Sequence, residues 1–138
     1  MIDNDFLFSN IGIDAVGFYA PRYYVKLKDL ALERKVDPDK FKKGLMSIEM
    51  RIPDVNEDVV SLGLKAGYNA LIKGNISPKN IDALFVGTET ITYAVKSISN
   101  IFAELLGISP NSFTQDCYNA CAGGTLALLN AIALIEKG

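Results

Sequence analysis

Fourteen residues near the carboxyl end, Ala122 to Ile135, constrain the fold most, because only Thr125 and Asn130 among them carry polar side chains. A helix with so little polar surface is not amphipathic and belongs inside a structure, with cover on all sides. It is entered from a polar stretch, Asp116-Cys117-Tyr118-Asn119-Ala120-Cys121, followed by Gly123-Gly124-Thr125. Cys121 therefore falls at the start of the helix. Unpaired amides and the positive end of the helix dipole favour a thiolate there, and the thiolate is the nucleophilic form. Gly123 and Gly124 allow a second backbone or a thin ligand to come close, at some cost in helix propensity. The same placement also suits an ordinary buried cysteine, and spacing alone leaves both readings open.

The rest of the chain reads as alternating strands and helices. Ile11 to Phe18, ending at Pro21, reads as a strand, and Leu27 to Arg34 as a short helix. Asp37-Pro38 supplies a helix start, whereas Gly44 to Asp54 lacks a clear period and reads as an irregular excursion. Asn56-Glu57-Asp58 caps a helix that carries Val59, Leu62, Ala66 and Ala70 at helical spacing, with Lys73-Gly74 at its end. Ile81 to Val86 reads as a buried parallel strand with Gly87-Thr88-Glu89-Thr90 as its loop. Ile98 to Leu106 repeats the helical pattern before Gly107 and Pro110. Asn111 to Gln115 is expected to form a third strand and 116–120 its loop.

This order implies an α/β fold with parallel strands and right-handed crossovers. Functional loops in such sheets lie at the carboxyl ends of the strands, so Glu89 and Cys121 are expected on one edge. A loop carboxylate is ordinarily just solvated. Where its surroundings partly desolvate it, its pKa rises and it becomes a usable base.

Composition excludes several alternatives. The chain has 138 residues, 49% hydrophobic and 22% charged, with a net charge of −2, so it is neither disordered nor a basic nucleic-acid binder. Lys40, Lys42 and Lys43 form the densest basic patch; it suits a solvated face and also the phosphates of an anionic ligand. With two cysteines and no histidine, a metal site lacks ligands, and Cys117 with Cys121 reads as an incidental pair. A cytoplasmic setting is expected, and no membrane span, because the apolar run at 126–135 falls short of the ~20 residues a bilayer requires.

The segment Asp116-Cys-Tyr-Asn-Ala-Cys-Ala-Gly-Gly-Thr125 resembles the active-site segment of the 3-hydroxy-3-methylglutaryl-CoA synthases, condensing enzymes of the thiolase superfamily. Val86-Gly-Thr-Glu-Thr90 is similar to the segment that holds the family's catalytic glutamate, and weaker likeness covers 11–24 and 36–63. The resemblance implies a thiolase-like N-terminal lobe over 11–138, incomplete in this chain, with a mostly parallel sheet, a buried central helix and an N-terminal extension at 1–10. It further implies Cys121 as the acyl-accepting nucleophile and Glu89 as general acid/base, with Gly123, Gly124 and Asn119 near the substrate. Acetyl-CoA and acetoacetyl-CoA would be the substrates, in mevalonate and isoprenoid synthesis, with no metal or other cofactor. The family's histidine, which binds the acetoacetyl group, has no counterpart here. A complementary C-terminal half or second subunit, and a homo-oligomer, are therefore expected. A type-III ketoacyl synthase, a polyketide β-branching synthase and a non-catalytic assembly subunit are the alternatives.

Overall fold

The computed structural model describes residues 11–137, so the expected extension at 1–10 lies outside the described residues. Two small sheets form. Strands β1 (Tyr23–Lys26) and β2 (Glu49–Ile52) pair antiparallel, with Tyr23 opposite Ile52, and enclose helix α1 (Leu27–Glu33) and a π-helical turn at Lys40–Gly44. Helix α2 (Val59–Gly74) leads to β3 (Ala83–Thr88). Helix α3 (Ile98–Leu106) then crosses to β4 (Phe113–Tyr118), which pairs parallel with β3 from Ala83–Phe113 to Thr88–Tyr118. A 3-10 turn at Ala120–Ala122 enters α4 (Gly123–Lys137).

The local causes are visible in the side chains. Asp58, rather than Asn56, caps α2: its carboxylate accepts from the Ser61 amide, and Ser61 Oγ accepts from the Asp58 amide, both at 2.7 Å. Glu57 turns away from the helix to the Tyr19 hydroxyl and the Asp54 amide. Asn75, with φ 51°, takes the left-handed cap one residue beyond the expected Gly74. Helices α2 and α3 meet through Val60, Ile98 and Phe102, with Leu84 and Val86 of β3 beneath them.

Several expectations require correction. Residues 11–20 form no strand. Among the described residues no strand edge receives them; the segment lies along α2, where Asn69 Nδ2 donates to the Phe18 carbonyl at 3.0 Å. The excursion at 44–54 contains β2, because pairing with β1 supplies the order that Glu49-Met-Arg-Ile lacks in its own pattern. Asp116 to Tyr118 belong to β4, not to a loop.

Helix α4 is central in that β3 and β4 both pack against it. Its burial is nonetheless one-sided: Gly123 and Ala127 are buried, while Leu128, Leu129, Leu134 and Ile135 are 44–62% exposed. Two strands cover one face of a helix that is apolar around its circumference. Ala120–Lys137, at mean hydropathy 1.3, is long and apolar enough by length and composition to cross a membrane, as the 126–135 run alone is not. Its seat on the parallel strands is that of a sheet-covering helix.

Candidate active site

The site is built where β3 and β4 end. Their register places Thr88 beside Tyr118, so the residues that follow, Glu89 on one strand and Asn119 to Cys121 on the other, leave the sheet at the same carboxyl edge. This is the convergence expected from the strand order.

Close backbone packing fixes the edge. A Cβ built on Gly87 would lie 2.4 Å from the Gly123 carbonyl oxygen and 2.5 Å from the Gly124 nitrogen; one on Gly123 would lie 2.8 Å from the Cys117 carbonyl oxygen. The start of α4 therefore rests directly on both strands, which only glycine at these two positions permits. Gly87→Ala should lower stability by about 1–3 kcal/mol, read by chemical denaturation, because backbone rather than a flexible side chain must move. Gly123 is thus enclosed by the chain's own backbone, whereas nothing approaches a Cβ on Gly124 within 4 Å. Of the three residues expected near substrate, Gly124 and Asn119 are the exposed ones.

The two cysteines separate cleanly. Cys117 is buried in β4, where its sulfur accepts from Asn130 Nδ2 of α4 at 3.5 Å. Cys121 is exposed, in the 3-10 turn two residues before α4 begins. The ordinary buried cysteine is Cys117, and the accessible thiol is Cys121. Ala120, immediately before it, has φ 42°, an uncommon backbone for a residue with a side chain, at a cost of about 1–2 kcal/mol. Nothing in the sequence signals that strain. The turn closes through the Ala122 amide, which donates to the Asn119 carbonyl at 2.9 Å.

Glu89 is exposed. The desolvation expected around it is not supplied by the described residues. Asp116 proves more engaged than its sequence position suggests. Its Oδ2 accepts from the Ile98 amide (2.8 Å) and the Tyr118 hydroxyl (2.9 Å), and its Oδ1 from the Ser99 amide (2.8 Å) and Ser97 Oγ (3.2 Å). Partial burial pushes its pKa up, but hydrogen bonds from Ser99, the Ile98 amide and Tyr118 outweigh it and hold the carboxyl below its ordinary value. A lowered folded pKa means that the stabilisation is present above the unfolded value, about 3.9, and lost as pH falls through the folded one. The gap in melting temperature between the native chain and Asp116→Asn should therefore be full at pH 6 and narrow progressively as pH falls below the unfolded value of about 3.9. Glu57 and Asp58 also have lowered values, but are common to both proteins.

Among the described residues, no group of three or more histidine, cysteine or acidic side chains is arranged to hold a metal. The arrangement offers an accessible thiol at a helix start and a carboxylate on the neighbouring strand end, the two groups an acyl-transfer and carbon-deprotonation sequence needs.

Comparison with known proteins places the chain in a family. The family described as hydroxymethylglutaryl-coenzyme A synthase N terminal matches residues 8–138. A hydroxymethylglutaryl-CoA synthase of Methanocaldococcus jannaschii is 36% identical over 127 residues, 92% of this chain and 37% of that protein. The solved structure of MvaS in complex with 3-hydroxy-3-methylglutaryl coenzyme A is similar at TM-score 0.85 and 36% identity, over 92% of this chain and 30% of that one. The priming β-ketosynthase of the R1128 polyketide pathway is similar at TM-score 0.78 and 28% identity, over 87% and 36%. The α/β architecture is accordingly a partial thiolase-type lobe, and the chain spans a little over a third of the curated relative's length. By its family match, its fold and its condensing-enzyme segment, the chain belongs to the hydroxymethylglutaryl-CoA synthase family and corresponds to the N-terminal part.

Proposed function

We propose that this chain supplies the acyl-accepting part of a hydroxymethylglutaryl-CoA synthase. The observation that carries the proposal is the exposed Cys121 thiol at the entry to α4, beside the end of the strand that delivers Glu89. Cys121 attacks the carbonyl of acetyl-CoA; the acetyl–sulfur bond to CoA breaks, and free CoA leaves. The Cys121 amide holds the thioester oxygen as charge develops on it. Glu89 takes a proton from the acetyl methyl group. The resulting carbon adds to the ketone of acetoacetyl-CoA, whose oxygen is protonated by the histidine of the C-terminal part, and water hydrolyses the enzyme thioester to release 3-hydroxy-3-methylglutaryl-CoA.

The same reading accounts for the apolar face of α4. Leu128, Leu129, Leu134 and Ile135 are the residues a histidine-bearing C-terminal part would cover. A second reading, a ketoacyl synthase using carrier-protein donors, is favoured by the likeness to the priming β-ketosynthase.

Assembly with a histidine-bearing part tests both. Light scattering should show this chain in a species larger than its own 15.0 kDa, and that species should make the product from acetyl-CoA and acetoacetyl-CoA. Condensation only with carrier-protein thioesters would favour the second reading. A stable 15.0 kDa monomer that binds no such part would contradict the assembly.

A further inference from the structure

Asp116 makes more hydrogen bonds than a helix cap needs. Helix α3 already has its own cap, since Ser97 Oγ accepts from the Asn100 amide at 3.3 Å. Asp116 takes the two amides before that, Ile98 and Ser99, each on a separate carboxylate oxygen. It reaches them from β4, 17 and 18 positions along the chain. Both residues it holds are fully buried. Ser97 Oγ and Ser99 Oγ lie 2.6 Å apart beside it, and Tyr118 closes the cluster from the strand's end.

The consequence lies in what this bond spans. Glu89 begins the segment 89–97, whose first end is fixed where Thr88 pairs with Tyr118. Its second end is α3's first turn, which Asp116 fastens to β4, the strand that continues into Cys121. Between those anchors Ile91, Tyr93 and Val95 are exposed, while Thr92 turns its hydroxyl inward. Both ends of Glu89's loop are thus referred to the strand that leads to Cys121.

We propose that Asp116 is a positioning residue, which sets where Glu89 stands relative to Cys121 by tying the first turn of α3 to β4. The inference rests on the reading that Cys121 is acylated and Glu89 moves the proton. Asp116→Asn keeps the volume but leaves one acceptor oxygen for two amides, so one amide meets an NH2 group instead. Its effect falls on proton abstraction, where small misplacements cost up to about 10²-fold, and not on acylation.

The test uses the condensing enzyme assembled from this chain and its histidine-bearing part. Asp116→Asn should lower kcat for condensation by about 10- to 10²-fold, with KM and the rate of Cys121 acetylation within about 3-fold of the native enzyme. In a Glu89→Gln background the same change should cost less than about 2-fold more, because the residue through which it acts is already disabled. Amides of 89–99 should exchange hydrogen faster, with those of α2 unchanged. Equal losses in both backgrounds, or unchanged exchange at 89–99, would overturn the inference while leaving the function intact. A native enzyme that never acetylates Cys121 would instead overturn the function, and the inference with it. If Asp116→Asn does not fold, Tyr118→Phe removes one of the four bonds and should give a smaller loss of the same kind; additivity with Glu89→Gln there would count against the proposal equally.

Discussion

Replacing Cys121 with serine should reduce condensation by about 10³-fold or more while leaving the fold intact. The thiol is exposed, so the change removes little packing, and stability should stay within about 0.5 kcal/mol. A serine hydroxyl in the same turn stays protonated near neutrality and lacks the sulfur's nucleophilicity. Cys117→Ala makes the matching control. That sulfur is buried against Asn130, so the substitution should cost about 1 kcal/mol in stability and leave most of the turnover. Loss of activity in the Cys117 variant with retention in Cys121→Ser would reverse the assignment.

Glu89→Gln should divide the reaction in two. Acetylation of Cys121 needs no base at the methyl carbon and should proceed at close to the native rate. Condensation should fall by about 10²- to 10⁴-fold, the range for a positioned general base. Single-turnover measurements separate the steps: labelled acetyl groups should accumulate on the enzyme and hydrolyse slowly without appearing in product. Because Glu89 is exposed in this chain, its working environment depends on whatever covers the sheet edge. The loss should therefore be measured on the assembled enzyme. Near-native condensation by Glu89→Gln would remove the residue from the mechanism.

The helices and the parallel pair were legible because their signals are local. Ile98, Phe102 and Leu106 mark one face of α3, and Gly107 at φ 74° ends it as its type suggests. Cys121 and Glu89 were legible as a pair because parallel strands deliver both to one edge. The failures share a cause: each depends on a partner distant in sequence. Glu49 to Ile52 becomes a strand only through β1, and 11–20 fails to become one because a glycine-containing apolar run does not show whether a sheet or a helix will receive it. Asp116 looked like a loop residue because its four hydrogen-bond donors include the first turn of a helix 17 and 18 positions earlier. The burial of α4 was overestimated for a related reason: its composition reports the need for cover, not the two strands that provide it here.

The central claim is that the thiol at the entry to α4 carries the acyl group. The most direct measurement is peptide mass spectrometry of the assembled enzyme after brief incubation with acetyl-CoA alone. Acetyl should be found on Cys121, in a stoichiometry approaching one per chain, with Cys117 unmodified. An acetyl group on Cys117, or none on either cysteine in an enzyme that still condenses, would contradict the account.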